Sequence, residues 1–246
     1  MDLFEYLLRL GDDALITAQR LGEWSARAPE MEEDIALSNI ALDQLGAARM
    51  FLTYAGEVEG AGRDEDALAY LRSDQEFRNA QLVELADADF ATAMAKLLCL
   101  SVYQHLLYGA LSGSEDERIA AIAAKAVKES AYHVDHSALW TVRLGAGTHE
   151  SHRRMTAALE EVWPFTYELF ESDDVVKRLA GVAVDPVTLH DQWSTRVHGV
   201  LQAGELAVPE TSWHPTGGRS GKHTEALSYL LAEMQVLHRA HPGATW

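Results

Sequence analysis

The chain has 246 residues, enough to bury a substantial core in one large domain or two small ones. Hydrophobic residues at 48% and charged residues at 24% are ordinary values for a soluble globular protein. The 38 acidic residues exceed the 20 Lys and Arg residues, which gives a formal net charge of -18. This charge repels phosphate backbones and anionic membranes, so it disfavours nucleic acid and membrane surfaces as partners.

Cysteine usage and the N-terminal sequence indicate a cytoplasmic protein. The single cysteine, Cys99, lies in an apolar run, where it cannot form an internal disulfide and is expected to pack in the core. The N-terminus lacks the basic region and apolar stretch of an export signal, and no run of about 18 apolar residues occurs. We therefore expect a reducing compartment and no membrane span.

Apolar residues spaced three and four apart predict helices through most of the chain. A first helix of roughly seven turns ends before Pro29, and a second helix runs from about 30 to 55. A polar interval with at most short helical turns follows. The third helix is apolar on nearly every face and belongs in a core. A fourth ends at Gly145, and shorter helices are predicted at about 149–170, 186–204 and 221–240.

Four long helices joined by short or moderate loops predict a four-helix bundle with additional C-terminal helices. The polar interval between the second and third helices is where the ferritin-like arrangement places its long crossover. We therefore predict an all-α, ferritin-like single domain over residues 1–246. Its core bundle is expected at about 2–145, and its helical extension at about 146–246.

A ferritin-like bundle can hold two metal ions, and its ligand pattern is strict. One Glu comes from each of two helices and a Glu-x-x-His pair from each of the other two, because residues three apart share a helix face. None of the 11 histidines has an acid three residues before it. The second helix offers only Asn39 and Asp43 and contains no histidine. The sequence therefore predicts no metal site and no cofactor in this chain.

The stretch KESAYHVDH in the fourth helix keeps an alternative open. Glu129 and His133 share a helix face, and His133 with His136 has the spacing of a nitrogen pair. The alternative is a self-sufficient metal-binding oxidase or metal-storage bundle that uses these three residues with Glu23 and Asp43. The simpler interpretation, which we prefer, is an internal hydrogen-bonded pair of Glu129 and His133.

Several segments, spread over nearly the whole chain, resemble one known family in the same order. They are GDDALITAQRLGEW, APEMEEDIALSNIALDQLGAARM, GRDEDALAYLR, KAVKESAYHVDHSALW, RLGAGTHESHRRM and GGRSGKHTEALSYLLAEMQ. The family is that of phenylacetic acid degradation protein C, the structural, non-catalytic component of the bacterial phenylacetyl-CoA 1,2-epoxidase. The resemblance implies a ferritin-like subunit that has lost its metal ligands and pairs with a catalytic subunit as its structural partner.

The resemblance also implies the other components of the complex. The di-iron site that epoxidises the aromatic ring of phenylacetyl-CoA lies in a ferritin-like catalytic subunit. A small bridging subunit and an NADPH-dependent reductase with flavin and iron-sulfur groups are the further partners. We expect the first two helices to face the catalytic subunit, because paralogous subunits often repeat the geometry of a homodimer. For the isolated chain, a homodimer stays an open alternative.

Two groups of polar residues are candidate sites. A relic of the metal pocket is expected between the long helices, and its residues are Gln19, Glu23, Asn39, Asp43, Gln104, Glu129 and His133. Near the C-terminus, Arg219, Lys222 and His223 lie among glycines whose backbone amides can approach an anion. This patch is a candidate contact for a CoA phosphate or for the acidic rim of a partner, and a plain loop is the alternative. Hydrolase, dehydrogenase and phosphate-loop motifs do not occur in the sequence.

Overall fold

The computed structural model describes residues 1–244, so the last two residues of the predicted extension lie outside the described residues. Over residues 1–244 the structure is helical, with no β-strand and one isolated bridge between Ala180 and Ala183. The α-helices are α1 (Asp2–Gly22), α2 (Met31–Glu59), α3 (Glu65–Tyr70), α4 (Phe90–Leu111), α5 (Glu117–Gly145), α6 (His149–Val162), α7 (Asp174–Arg178), α8 (His190–Ala203) and α9 (Glu225–Ala240). The prediction of an all-α, ferritin-like fold with additional C-terminal helices is confirmed.

The chain divides into two compact units. The first unit contains residues 1–86 and the segment from Gly217 onward, and the second contains Asp87–Thr216. In the first unit α1 packs against α2, and in the second α4 packs against α5, so each unit holds one long helical hairpin. The predicted C-terminal extension is shared between them, because α6, α7 and α8 belong to the second unit and α9 to the first. The single domain over residues 1–246 stays a prediction.

Capping residues set the ends of the long helices. The side chain of Asp89 accepts a hydrogen bond from the Thr92 amide at the start of α4, and Asp116 does the same for two amides at the start of α5. The second helix runs four residues beyond its predicted end, to Glu59. It stops there because Gly60 adopts the left-handed conformation, with φ of +69°, that closes a helix C-terminus.

The C-terminal helices are shorter than predicted, and each difference has a local cause. The predicted helix at 149–170 is α-helical only to Val162 and continues as a 3₁₀ helix over Trp163–Phe170, where Pro164 lacks an amide donor. The last helix begins at Glu225 rather than 221, because Gly221 adopts the left-handed conformation, which an α-helix does not contain. The α7 helix, a single short turn capped by Asp173, was not predicted from the sequence.

The α4 helix is the buried centre of the second unit, as its apolar sequence predicts. Burial raises the pKa of the Cys99 thiol to about 12, so this cysteine is a packing residue rather than a nucleophile. By length and hydropathy α4 also qualifies as a membrane span, alone among the helices within residues 1–244, although 89% of the qualifying window is buried. A core helix passes the same test, so this is weak evidence for a span.

Candidate functional site

The residues predicted to line a relic metal pocket in the first unit differ in exposure. Gln19 is half-buried and lines a groove of about 390 Å³ along α1 and α2. Glu23, just after α1, forms an ion pair with Arg20 at 2.7 Å. On α2, Asn39 is exposed and Asp43 is half-buried. Glu23 is therefore paired with a residue in the last turn of the helix that precedes it.

The remaining members of the predicted pocket belong to the second unit. Gln104 on α4 and His133 on α5 are each 2% exposed. The Glu129 carboxylate forms an ion pair with Lys125, one turn earlier on α5, at 2.7 Å. This neighbour differs from the predicted one, His133. The Glu129–His133 pair and the grouping of all seven residues around one pocket stay predictions.

Metal-ligating side chains do not converge in the described part of the chain. Within residues 1–244, the His, Cys, Asp and Glu side chains form no group of three or more that could hold a metal ion. His136, the third residue of the metal-binding alternative, is buried on α5. The predicted lack of a cofactor in this chain remains a prediction.

A network of buried ion pairs dominates the first unit. At its centre, Asp12 of α1 forms a bidentate ion pair with Arg72, and these side chains are 0% and 2% exposed. Asp12 also accepts a hydrogen bond from the Arg78 amide at 2.8 Å. The Arg72 guanidinium lies 4.2 Å from the centre of the Phe77 ring, a cation–π contact. Each buried charge of this pair is therefore compensated, which is the condition for burying it.

The second ion pair joins α1 to the C-terminal segment. Arg219 donates to both carboxylate oxygens of Asp13, at 2.9 and 2.7 Å, and also to the Arg78 carbonyl oxygen at 2.9 Å. The Ala80 amide donates to Asp13 at 2.8 Å. Burial raises the pKa of Asp13, although the charge and hydrogen bonds of Arg219 act in the opposite direction. Residues 217–224, which we call the C-terminal clasp, are thus tied to α1.

The third cluster forms around Glu84, whose side chain is fully buried. One carboxylate oxygen accepts from His223 Nδ1 at 2.6 Å and from Asn79 at 2.9 Å. The other accepts from the Thr224 amide at 2.7 Å and from its hydroxyl at 2.6 Å. Arg20 of α1 donates to the Glu84 backbone carbonyl at 2.9 and 2.7 Å. Glu84 therefore anchors the clasp at one end, as Asp13 does at the other.

The glycines of the clasp are required by its path. Gly221 has φ of +78°, and a Cβ atom built there would lie 2.3 Å from the carbonyl oxygen of Gln75. Any other residue would therefore suffer both backbone strain and a clash with backbone. The close approach lets Gln81 donate to the carbonyl oxygen of Lys222 at 2.8 Å.

These contacts qualify the prediction that the clasp binds an anion. Arg219 and His223 do contact anions, but the anions are Asp13 and Glu84 of the same chain. The Lys222 residue is exposed. A contact with a CoA phosphate or with a partner stays a prediction. Chemically, the fully paired carboxylates are suited to holding the segment in place rather than to transferring protons.

The carboxylates of the buried ion-pair network were not predicted from the sequence. Asp12, Asp13 and Glu84 were not candidates, since their partners lie far away in sequence. One signal was available in the sequence: Asp12 and Asp13 are adjacent acids in a stretch of the first helix that is mostly apolar. Charges in such a position must find buried partners when the helix packs on all sides.

The α2 helix also carries an exposed apolar strip, which we call the α2 face. It consists of Met31, Ile35, Leu42 and Leu45, which are 76%, 57%, 64% and 46% exposed. Their spacing places them on one side of the helix. The groove of about 390 Å³ is lined by Leu42 and Leu45, and a second groove of about 250 Å³ shares Leu45. Several exposed apolar side chains on one helix face are typical of protein interfaces.

Comparison with known proteins shows which family this chain belongs to. The sequence profile of the family described as "Phenylacetic acid catabolic protein" matches residues 1–246. The chain is also 46% identical over 246 residues to the C component of the 1,2-phenylacetyl-CoA epoxidase of Escherichia coli (strain K12), with 99% of each chain covered. The resemblance noted in the sequence is confirmed, and the ferritin-like helical fold fits it. This chain belongs to the phenylacetic acid catabolic protein family.

Proposed function

We propose that this chain is the C-type structural subunit of a multicomponent phenylacetyl-CoA 1,2-epoxidase that serves phenylacetate catabolism. The observation that carries the proposal is its 46% identity, over 99% of both chains, with the C component of the Escherichia coli epoxidase. A relative named as a subunit also supports a role within a complex of several chains.

In this proposal the chain does not itself activate oxygen. The supporting observation is that none of the 11 histidines follows an acid at the three-residue spacing of a di-iron ligand pair. The catalytic partner would be a ferritin-like subunit that holds di-iron. A small bridging subunit and an NADPH-dependent reductase with flavin and iron-sulfur groups complete the proposed assembly, in the cytoplasm.

The α2 face is the surface that we assign to the catalytic subunit. Its exposed leucines, Leu42 and Leu45, border the grooves, and acidic residues Glu32, Glu33 and Asp34 stand at the start of the same helix. With a formal net charge of -18, two copies of this chain repel each other. A partner with an apolar helix flanked by cationic side chains complements this face better than a second copy does.

The test is co-expression with a relative that retains both Glu-x-x-His pairs, followed by sizing and a phenylacetyl-CoA oxidation assay with reductase and NADPH. We expect a heteromer whose activity requires both chains. The proposal fails if the catalytic subunit is equally soluble and equally active without this chain. Turnover by this chain alone would instead support the metal-binding alternative.

Metal content provides a separate test. Elemental analysis after anaerobic iron loading should find no stoichiometric iron or manganese on the purified chain. Two tightly bound ions per chain would contradict the structural role and support the ligand set of Glu129, His133, His136, Glu23 and Asp43.

The interface assignment is tested with a pair of matched variants. In Leu42→Asp/Leu45→Asp, two apolar contacts are lost from the α2 face, and we expect at least a tenfold weaker heteromer, since loss of contacts at the centre of an interface commonly costs more than about 1 kcal/mol. The control is Val236→Asp/Leu237→Asp, which changes two residues of similar exposure on α9. Equal weakening by both variants would place the interface elsewhere, whereas failure of the wild-type chain to bind would overturn the proposed function itself.

A further inference from the structure

The two ring nitrogens of His223 both face hydrogen-bond acceptors. Nδ1 lies 2.6 Å from a carboxylate oxygen of Glu84, and Nε2 lies 3.0 Å from the backbone carbonyl oxygen of Phe77. A carbonyl oxygen and an ionised carboxylate can only accept. A neutral imidazole carries one N–H, so it can satisfy one of these contacts, whereas the imidazolium satisfies both.

Glu84 is surrounded by hydrogen-bond donors besides His223. Its carboxylate accepts three further hydrogen bonds, from Asn79 and from the amide and hydroxyl of Thr224. The two oxygens of a carboxylate have acceptor sites for these three donors and for an N–H group of His223 as the fourth.

The charges around His223 act in the same direction. Burial disfavours the imidazolium, but the hydrogen bond and the charge of Glu84, with smaller contributions from Phe77 and Asp12, raise the pKa of His223 above its ordinary value. Its side chain is 4% exposed, so solvent does not screen these interactions fully. The charged groups of the adjoining elements are Asp12 and Arg20 of α1, Asp74, Glu84, and Arg219 within the clasp.

We propose that His223 is a pH-sensitive latch, whose imidazolium holds the C-terminal clasp closed on Glu84 and whose deprotonation opens the clasp locally. The proposal is independent of the epoxidase role. The opening is confined to the His223 end of the clasp. At the other end the Arg219 guanidinium stays charged and keeps its ion pair with Asp13. The helix after the clasp is held separately, since Gln235 donates to two backbone carbonyls, those of Ala69 and Arg72.

The direction of the pH effect follows from the raised pKa. The stabilisation by His223 is complete below the ordinary histidine value of about 6.5 and is lost as the pH rises through the raised value. Between these two values the opening constant should rise by up to about tenfold per pH unit, because one proton is released. Above the raised value it should level off.

Two measurements on the full chain test the latch. Imidazole nitrogen shifts, assigned by comparison with His223→Gln, should show His223 doubly protonated at pH 7. Hydrogen exchange of the amides of residues 222–224 between pH 6 and 10, corrected for intrinsic exchange, should rise in the wild-type chain and then level off. In His223→Gln the corrected exchange should be high and independent of pH.

Three variants separate the latch from other titrations. Glu84→Gln removes the carboxylate charge and should abolish the pH dependence. Lys222→Met, which alters the exposed amine of the clasp, and His149→Gln, which alters an exposed histidine of α6, should both retain the wild-type profile. A neutral His223 at pH 7, or the same pH profile in His223→Gln as in the wild-type chain, would overturn the proposal. If Glu84→Gln does not fold, the nitrogen shifts of the wild-type chain still decide.

Discussion

The α1 and α4 helices are both deeply buried, yet they meet different physical requirements. Of the 22 residues of α4, the one buried charge is Lys96, which forms an ion pair with nearby Asp87 at 2.6 Å. By contrast, α1 buries Asp12 and Asp13, whose partners Arg72 and Arg219 are 60 and 206 positions away in the sequence. The α4 helix can be buried because its side chains are mostly apolar, whereas the buried charges of α1 need oppositely charged partners from distant segments.

The difference between α1 and α4 indicates what the C-terminal clasp contributes to the first unit. Without Arg219, the Asp13 carboxylate would be a buried anion with only amide donors, and burial already raises its pKa. In α4 few buried charges need partners. The buried carbonyl oxygen of Cys99 accepts a hydrogen bond from Trp193 Nε1 at 2.8 Å, within the same unit. The order of the first unit therefore depends on a segment that is remote in the chain.

The largest expected effect comes from removing one charge of the α1 network. We expect Asp13→Ala to lower the free energy of unfolding by about 3 to 5 kcal/mol, because it leaves the Arg219 cation uncompensated. Urea denaturation of the full chain measures this. The double variant Asp13→Leu/Arg219→Met removes both charges and should recover most of the loss. If single and double variants were equally destabilised, the pair would not be what stabilises the clasp.

The corresponding change in α4 removes apolar volume instead of charge. Leu98 is fully buried, so we expect Leu98→Ala to cost about 2 to 5 kcal/mol through lost transfer energy and the cavity left behind. The difference between the two helices predicts that the stabilities of Leu98→Ala and Asp13→Ala depend differently on salt concentration and on a second mutation. No charge substitution elsewhere should rescue Leu98→Ala, whereas Asp13→Ala has a defined partner. Denaturation of both variants in the same buffers tests the contrast.

The sequence predicted α4 better than it predicted α1, for a reason visible in these residues. Burial of α4 follows from its own composition, so its position, and the packing role of Cys99, could be inferred without any partner. The two ends of the clasp were recognised as unusual, but Arg219 and His223 were interpreted as contacts for an external anion. Their actual partners could not be found from local patterns, because the ion pairs connect segments that only the folded chain brings together.

The candidate site differs from the clasp, because its predicted relations lie along single helices. The lack of a Glu-x-x-His pair is a property of spacing along one helix, so the sequence could establish it directly. The neighbour of Glu129 is also one turn away, yet both Lys125 and His133 satisfy the same spacing on opposite sides. Side-chain direction decides between them, because helical side chains lean toward the helix N-terminus and so place Glu129 over Lys125 rather than over His133.

The smallest expected effect concerns Glu129, the residue that was expected to lie in a relic metal pocket. Its carboxylate is 22% exposed and pairs with Lys125, which is 54% exposed, on the same helix face. Ion pairs of this kind on a helix surface contribute about 0.3 to 0.5 kcal/mol, since water and salt screen them. We therefore expect Glu129→Ala to change the free energy of unfolding, measured by urea denaturation, by less than about 1 kcal/mol, and Lys125→Ala to have an equally small effect.

A loss of about 3 to 5 kcal/mol in Glu129→Ala alone would instead mean that its charge is buried against another partner. The relic pocket with His133 would then replace the surface pair, and α5 would resemble α1 in burying a charge that needs a partner.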